Sequence, residues 1–143
     1  MKLNFRFYIS WISCAILMFL LFYFWHGLVL NDFKRVKFPI SWFITFAAFT
    51  YIIFGAGIYF LFESPVFKKI KSIFFRGILT GVIAGFSLFM IATVVNISLT
   101  KHLSMEHLLV DCLWQIAEQT LGAMVVVLYK IFIFDPEPDM ILD

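Results

Sequence analysis

Five polar residues that could bind a ligand or carry a proton lie within one long apolar stretch near the C-terminus: His107, Asp111, Gln115, Glu118 and Gln119. On a helix, with ~100° per residue, they fall together with Trp114 and Gly122 in one arc about 140° wide. The opposite side of that helix is apolar and can face lipid. A membrane helix must turn such a polar stripe toward protein, water or a ligand, so we expect any functional site to lie along it.

Glu118 is the member of this stripe that most favours a function. A carboxylate near the bilayer centre costs about 3 kcal/mol, and a glutamine would form hydrogen bonds at a lower cost. No Lys or Arg lies at that depth, so the carboxyl group is protonated, pairs with a histidine or a bound cation, or faces water. Trp114 and Gly122 shape the space around it. For Gln115 and Gln119 we expect hydrogen bonds across the helix bundle that fix the helix register.

Further polar residues are expected at the membrane end from which this helix starts: His26, Asp32, Asn96, His102, His107 and Asp111. They would border one vestibule with Glu118 at its floor, as a proton relay or a ligand entrance. Histidine and carboxylate one helical turn apart also suit a divalent metal such as zinc. His107, Asp111 and His26 are the candidates for that alternative. None has the fixed spacing of a known metal motif, so we predict neither a metal site nor another cofactor.

Composition assigns the chain to the membrane. It has 143 residues, of which 63% are hydrophobic and 14% charged, and its mean hydropathy is +0.99. Charged residues make up about a quarter of a soluble domain. A net charge of +2 is too small to indicate nucleic-acid binding. Cys14 and Cys112 are expected at different depths, which excludes a disulfide between them.

Four segments are long enough to span a bilayer: 7–30, 40–62, 76–99 and 107–134. Short connections force neighbouring spans to be antiparallel. The sequence therefore predicts an all-α integral membrane protein, with residues 1–143 forming one up-and-down bundle of four transmembrane helices. No cleavage site closes the first segment, which we interpret as a retained helix. Residues 135–143 form an acidic tail.

The distribution of basic residues predicts the orientation. The N-terminus, the second connection and the C-terminal end together carry seven Lys and Arg residues, whereas the first and third connections carry four. The positive-inside rule therefore favours both termini in the cytoplasm. The Phe, Ile and Lys usage, without an organelle targeting signal, favours a bacterial inner membrane.

Glycines in the third span predict close helix packing. Gly77, Gly81 and Gly85 are four residues apart, so one stripe of the helix has no side chains and another backbone can approach it. Gly122 offers a similar position on the fourth span. The sequence leaves three partners open, namely another helix of this chain, a second copy, or a different subunit.

Two functional interpretations follow. In the first, the protein is a non-enzymatic accessory component of a homo-oligomer or a larger membrane complex, and the polar stripe supplies interhelical hydrogen bonds. In the second, the stripe binds a proton, a cation or a small polar ligand, as in a transport-type protein, through Glu118. An enzyme is less favoured, because no serine is paired locally with His and Asp and no metalloprotease or phosphate-loop pattern occurs.

Overall fold

The computed structural model of the protein describes residues 5–35, 39–99 and 105–133. Four helices in these ranges are long and apolar enough to cross a membrane, and no strand occurs among the described residues. The prediction of an all-α, up-and-down bundle of four transmembrane helices is confirmed. Both Cys14 and Cys112 are free thiols.

The elements follow one another in this order: α1 (Phe5–Phe22), a π-helical segment (Tyr23–Val29), a 3₁₀ turn (Asp32–Arg35), α2 (Ile40–Phe62), the one-turn α3 (Pro65–Lys68), α4 (Ile73–Leu99) and α5 (Met105–Phe132). The π-helical segment continues α1 and completes the first span. Its backbone includes a hydrogen bond from Leu30 N to Trp25 O at 2.9 Å, which is the five-residue spacing of a π-helix.

Helix starts differ from the expected bounds by up to three residues. α4 begins at Ile73 instead of residue 76, because Ser72 Oγ accepts a hydrogen bond from Phe75 N at 3.3 Å. Ser64 caps α3, accepting from Phe67 N at 3.5 Å. Pro39 directly precedes α2. α5 begins at Met105 and ends at Phe132, and the expected acidic tail, 135–143, lies outside the described residues.

α5 occupies the central position in the bundle, because it contacts α1, α2 and α4. Its pairing with α4 is the most extensive in the bundle, whereas α2 and α4 touch each other much less. The core joins Met18 and Phe22 of α1 to Ile58 of α2 and to Ala123 and Val127 of α5. We call the end where α1 begins and α5 ends the terminus end, and the other the far end.

The glycine stripe of α4 packs against α5 within the same chain. A Cβ atom added at Gly81 would overlap the Thr120 backbone, and one added at Gly85 would lie 2.6 Å from Gln115 O. A Cβ at Gly77 would meet the Val127 side chain. The two backbones therefore approach as closely as glycine permits. Of the three partners that the sequence left open, this stripe uses a helix of its own chain.

Candidate functional site

Glu118 lies fully inside the bundle, with 0% of its surface exposed, and so does its neighbour Gln119. Gln119 Nε2 donates a hydrogen bond to Glu118 Oε1 at 3.1 Å. The other carboxyl oxygen, Oε2, is buried and has no hydrogen-bond partner. The protein therefore leaves one of the two carboxyl oxygens without a hydrogen bond.

Helix α1 holds one side of the Glu118 environment. Gly122, one turn after Glu118, is covered by α1, because an added Cβ would lie 2.7 Å from Met18 Sδ and 3.2 Å from Cys14 Sγ. Trp114, one turn before Glu118, stacks on Trp25 with ring centroids 4.2 Å apart and an interplanar angle of 11°. Gly122 thus lets α1 pack closely on α5 one helical turn from the carboxyl group.

The π-helical segment brings Trp25 to this stack. Trp25 and His26 both lie within the segment, where the wider helical turn shifts side chains relative to the α-helical register. Such segments occur frequently at functional sites. The sequence analysis did not predict the contact of Trp25 with Trp114.

Helix α2 contributes Tyr51, whose hydroxyl group interacts with the Glu118 carboxyl group. Trp114 Nε1 also lies near the carboxyl group, but its geometry falls short of a hydrogen bond. The sequence prediction did not include Tyr51. The sequence does contain a signal that Tyr51 is buried. It lies four residues before Gly55 and therefore on the same face of α2, and in the structure Gly55 packs closely on Ala15 of α1.

A cavity of about 280 Å³ adjoins this tyrosine. It lies between α2 and α4, the loosely packed pair of helices, and its floor includes Gln115 of α5. Its polar lining comes from His26, Thr50, Tyr51 and Gln115, and its apolar lining is mainly phenylalanine. Glu118 does not line the cavity itself. It lies behind Tyr51, which lines the cavity and whose hydroxyl group interacts with the carboxyl group.

Buried polar atoms without a partner are concentrated at this place. Six lie on the 114–120 segment of α5 or on the tryptophan stacked against it: Trp25 Nε1, Trp114 Nε1, Gln115 Oε1, Glu118 Oε2, Gln119 Oε1 and Thr120 Oγ1. Folded proteins leave only a few such atoms, and each one calls for a ligand, an ordered water or strain as its explanation. The Oε1 atoms of Gln115 and Gln119 accept no hydrogen bond from a described residue, and Gln119 Nε2 donates to Glu118 on its own helix.

The expected vestibule at the far end is only partly visible. His107 is exposed and Asp111 is half-buried in the first turns of α5, and each has an interaction partner. His26 lies in the wall of the cavity that adjoins Tyr51. The side chains of Asp32 and Asn96, together with residue His102, are outside the described part. Within that part, no group of three or more His, Cys, Asp or Glu residues is arranged to hold a metal ion.

A second polar cluster, which sequence reasoning missed, lies at the terminus end. Glu63 Oε1 accepts from Lys130 Nζ at 2.7 Å, and Glu63 Oε2 pairs with Lys68 Nζ at 3.0 Å. Burial would raise the pKa of the Glu63 carboxyl group, but the hydrogen bonds and charges of the two lysines outweigh it and hold the pKa below its ordinary value of 4.5. This carboxylate ties α2 to α3 and α5.

In comparisons with known proteins, no family, no curated protein and no solved structure matches this chain.

Proposed function

We propose that the protein binds a small cation, either a proton or a compact organic or inorganic ion, inside the membrane, and that Glu118 is its acidic partner. The observation that carries this proposal is the buried, unpartnered Oε2 of Glu118 behind a cavity wall formed by Tyr51. A charged residue at mid-membrane costs about 3 kcal/mol and marks a substrate or ion pathway when it faces the bundle interior.

The shape and lining of the cavity support a cationic ligand. Its volume of about 280 Å³ is just below the 300–1,000 Å³ of ordinary small-molecule sites, so the ligand is compact. Rings from Phe22, Phe43, Phe46 and Phe54 line it, and aromatic faces attract cations. The gap between α2 and α4 provides the entrance.

The proposed orientation places both termini in the cytoplasm of a bacterium, with the bundle in the inner membrane. The basic residues near the terminus end support it. Ligand would then enter the cavity from the half of the bilayer away from the cytoplasm.

The accessory-subunit interpretation stays a prediction. The glycine stripe that suggested a partner is covered by α5 of the same chain. A second copy or another subunit would therefore have to use a different helix face.

The proposal is tested on purified protein in detergent by thermal unfolding with methylammonium, tetramethylammonium, Na⁺ and K⁺ as probes. We expect at least one probe to raise the unfolding temperature of the wild type. Glu118→Gln should abolish that shift, and Tyr51→Phe should reduce it. Glu106→Gln removes an exposed acid from the first turn of the same helix, so this control should retain the shift.

The proton alternative has its own measurement. Infrared difference spectra between acidic and alkaline pH should contain a carboxylic-acid carbonyl band that Glu118→Gln removes and Glu106→Gln retains. If no probe shifts unfolding and no band is lost in Glu118→Gln, the proposed function is wrong.

A further inference from the structure

A second cavity, of about 150 Å³, lies at the terminus end of the bundle and is separate from the one near Glu118. We call it the basic pocket, and it is lined by Arg6, Ser10, Tyr59, Glu63, Val126 and Lys130. Arg6 lies in the first turn of α1 and Lys130 in the last turn of α5. The pocket is therefore level with the ends of the spans, where lipid headgroups lie.

The charges around the basic pocket favour an anion. Among the described lining residues the one carboxylate is Glu63, which pairs with both Lys68 and Lys130. Two ammonium groups on one carboxylate leave this triad with a net positive charge, and Arg6 is a further cationic residue in the lining. Arg76 does not line the pocket, but its guanidinium group and Lys130 Nζ both lie over the ring of Phe62, at 4.1 Å and 5.8 Å from its centroid.

The donors in the lining suit a phosphate group. Arg6 and Lys130 supply charged N–H groups, and Ser10 and Tyr59 supply hydroxyl groups. Hydrogen bonds from charged donors to phosphate oxygens are stronger than those between neutral groups. At about 150 Å³, the pocket is smaller than the 300 Å³ at which small-molecule sites begin. It has room for one anionic group but not for a large organic molecule.

We propose that the basic pocket binds a phosphate group, supplied either by the headgroup of an anionic phospholipid or by soluble phosphate. Basic pockets between transmembrane helices bind lipid headgroups by this chemistry. The inference is independent of cation binding near Glu118, because the two cavities share no lining residue.

The test is native mass spectrometry of the full chain in detergent, titrated with phosphatidylglycerol or with phosphatidylcholine of the same acyl chains. We expect the anionic lipid to bind more tightly to the wild type. Arg6→Gln should weaken its binding by about tenfold, the effect of losing one hydrogen bond from a charged donor. Lys69→Gln also removes one positive charge, but from an exposed residue that does not line the pocket, and it should leave binding unchanged.

Inorganic phosphate distinguishes the two sources. If millimolar phosphate displaces phosphatidylglycerol and raises the unfolding temperature without lipid, soluble phosphate is a ligand of the pocket. If it does neither while the lipid result holds, the headgroup is the ligand. Lys130→Gln should weaken binding as Arg6→Gln does, and circular dichroism checks that both variants fold. Equal binding of the two lipids without an effect of phosphate, or equal weakening by Arg6→Gln and Lys69→Gln, would overturn the proposal.

Discussion

The contact between α4 and α5 makes a graded prediction for four glycines substituted singly by alanine. Gly81 and Gly85 would each direct the new methyl group at the α5 backbone, whereas Gly77 would direct it at the end of the Val127 side chain. Gly57 of α2 has nothing within 4 Å of an added Cβ. A side chain can rotate away from a new methyl group, but a helix backbone can move only with its helix.

The expected magnitudes follow from these distances. At Gly85, the added Cβ would be 2.6 Å from Gln115 O, and ordinary contact begins at 3.4 Å. The helices would have to separate by about 0.8 Å, and overpacking of this kind costs about 1–3 kcal/mol. Replacing glycine by alanine in a helix returns about 1 kcal/mol. We therefore expect Gly57→Ala to raise the free energy of unfolding by up to about 1 kcal/mol, and Gly81→Ala and Gly85→Ala to be less stable than Gly57→Ala by about 1–3 kcal/mol, with Gly77→Ala in between.

Unfolding of each variant by sodium dodecyl sulfate in mixed micelles, followed by circular dichroism, measures this series. The order of stability, more than any single value, tests the packing of α4 on α5. If Gly81→Ala and Gly85→Ala were as stable as Gly57→Ala, the close backbone contact would be wrong.

Two further predictions concern the opposite ends of the bundle. Because the pKa of Glu63 lies below 4.5 in the folded state, its ion pairs stabilise the fold at neutral pH, and this contribution is lost as the pH falls below 4.5 through the folded pKa. Glu63→Gln should therefore be less stable than the wild type by about 1 kcal/mol at pH 7, and a difference that stays constant in unfolding titrations at decreasing pH would contradict this. The Trp25–Trp114 stack should give a coupling of about 1 kcal/mol in a double-mutant cycle with leucine, whereas additive effects would exclude the stack.

The number of membrane-spanning helices could be predicted because it depends on local properties of the sequence. Each span is an apolar run of sufficient length, and the connections are too short for anything but antiparallel neighbours. The ends of the helices were harder to predict. Ser72 caps α4, whereas Ser64 caps the one-turn helix α3. Both serines are plausible caps in the sequence, and only the folded chain distinguishes them.

Of the candidate site, Glu118 and its neighbours on α5 could be predicted, because they too depend on a local signal. Glu118 is conspicuous because a carboxylate interrupts an apolar helix, which is a local signal. Its neighbours Tyr51 and Trp25 lie on other helices, and their approach depends on helix register and on the π-helical segment. The Glu63–Lys130 pair joins residues 67 positions apart. Pairings of this kind follow from tertiary packing, which spacing within one sequence does not reveal.

The way α5 is held explains how Glu118 can keep an unpartnered oxygen. On one side, the backbone around Thr120 is fixed against the glycines of α4, and on the other, Gly122 is fixed against Met18 of α1. The position of the carboxyl group is therefore set by backbone packing, and its own hydrogen bonds are not needed to hold the helix in register. It follows that Glu118→Gln should change the free energy of unfolding little while abolishing ligand binding, and that Gly81→Ala should lower stability. If the carboxyl group instead had a structural role, Glu118→Gln would lower the free energy of unfolding.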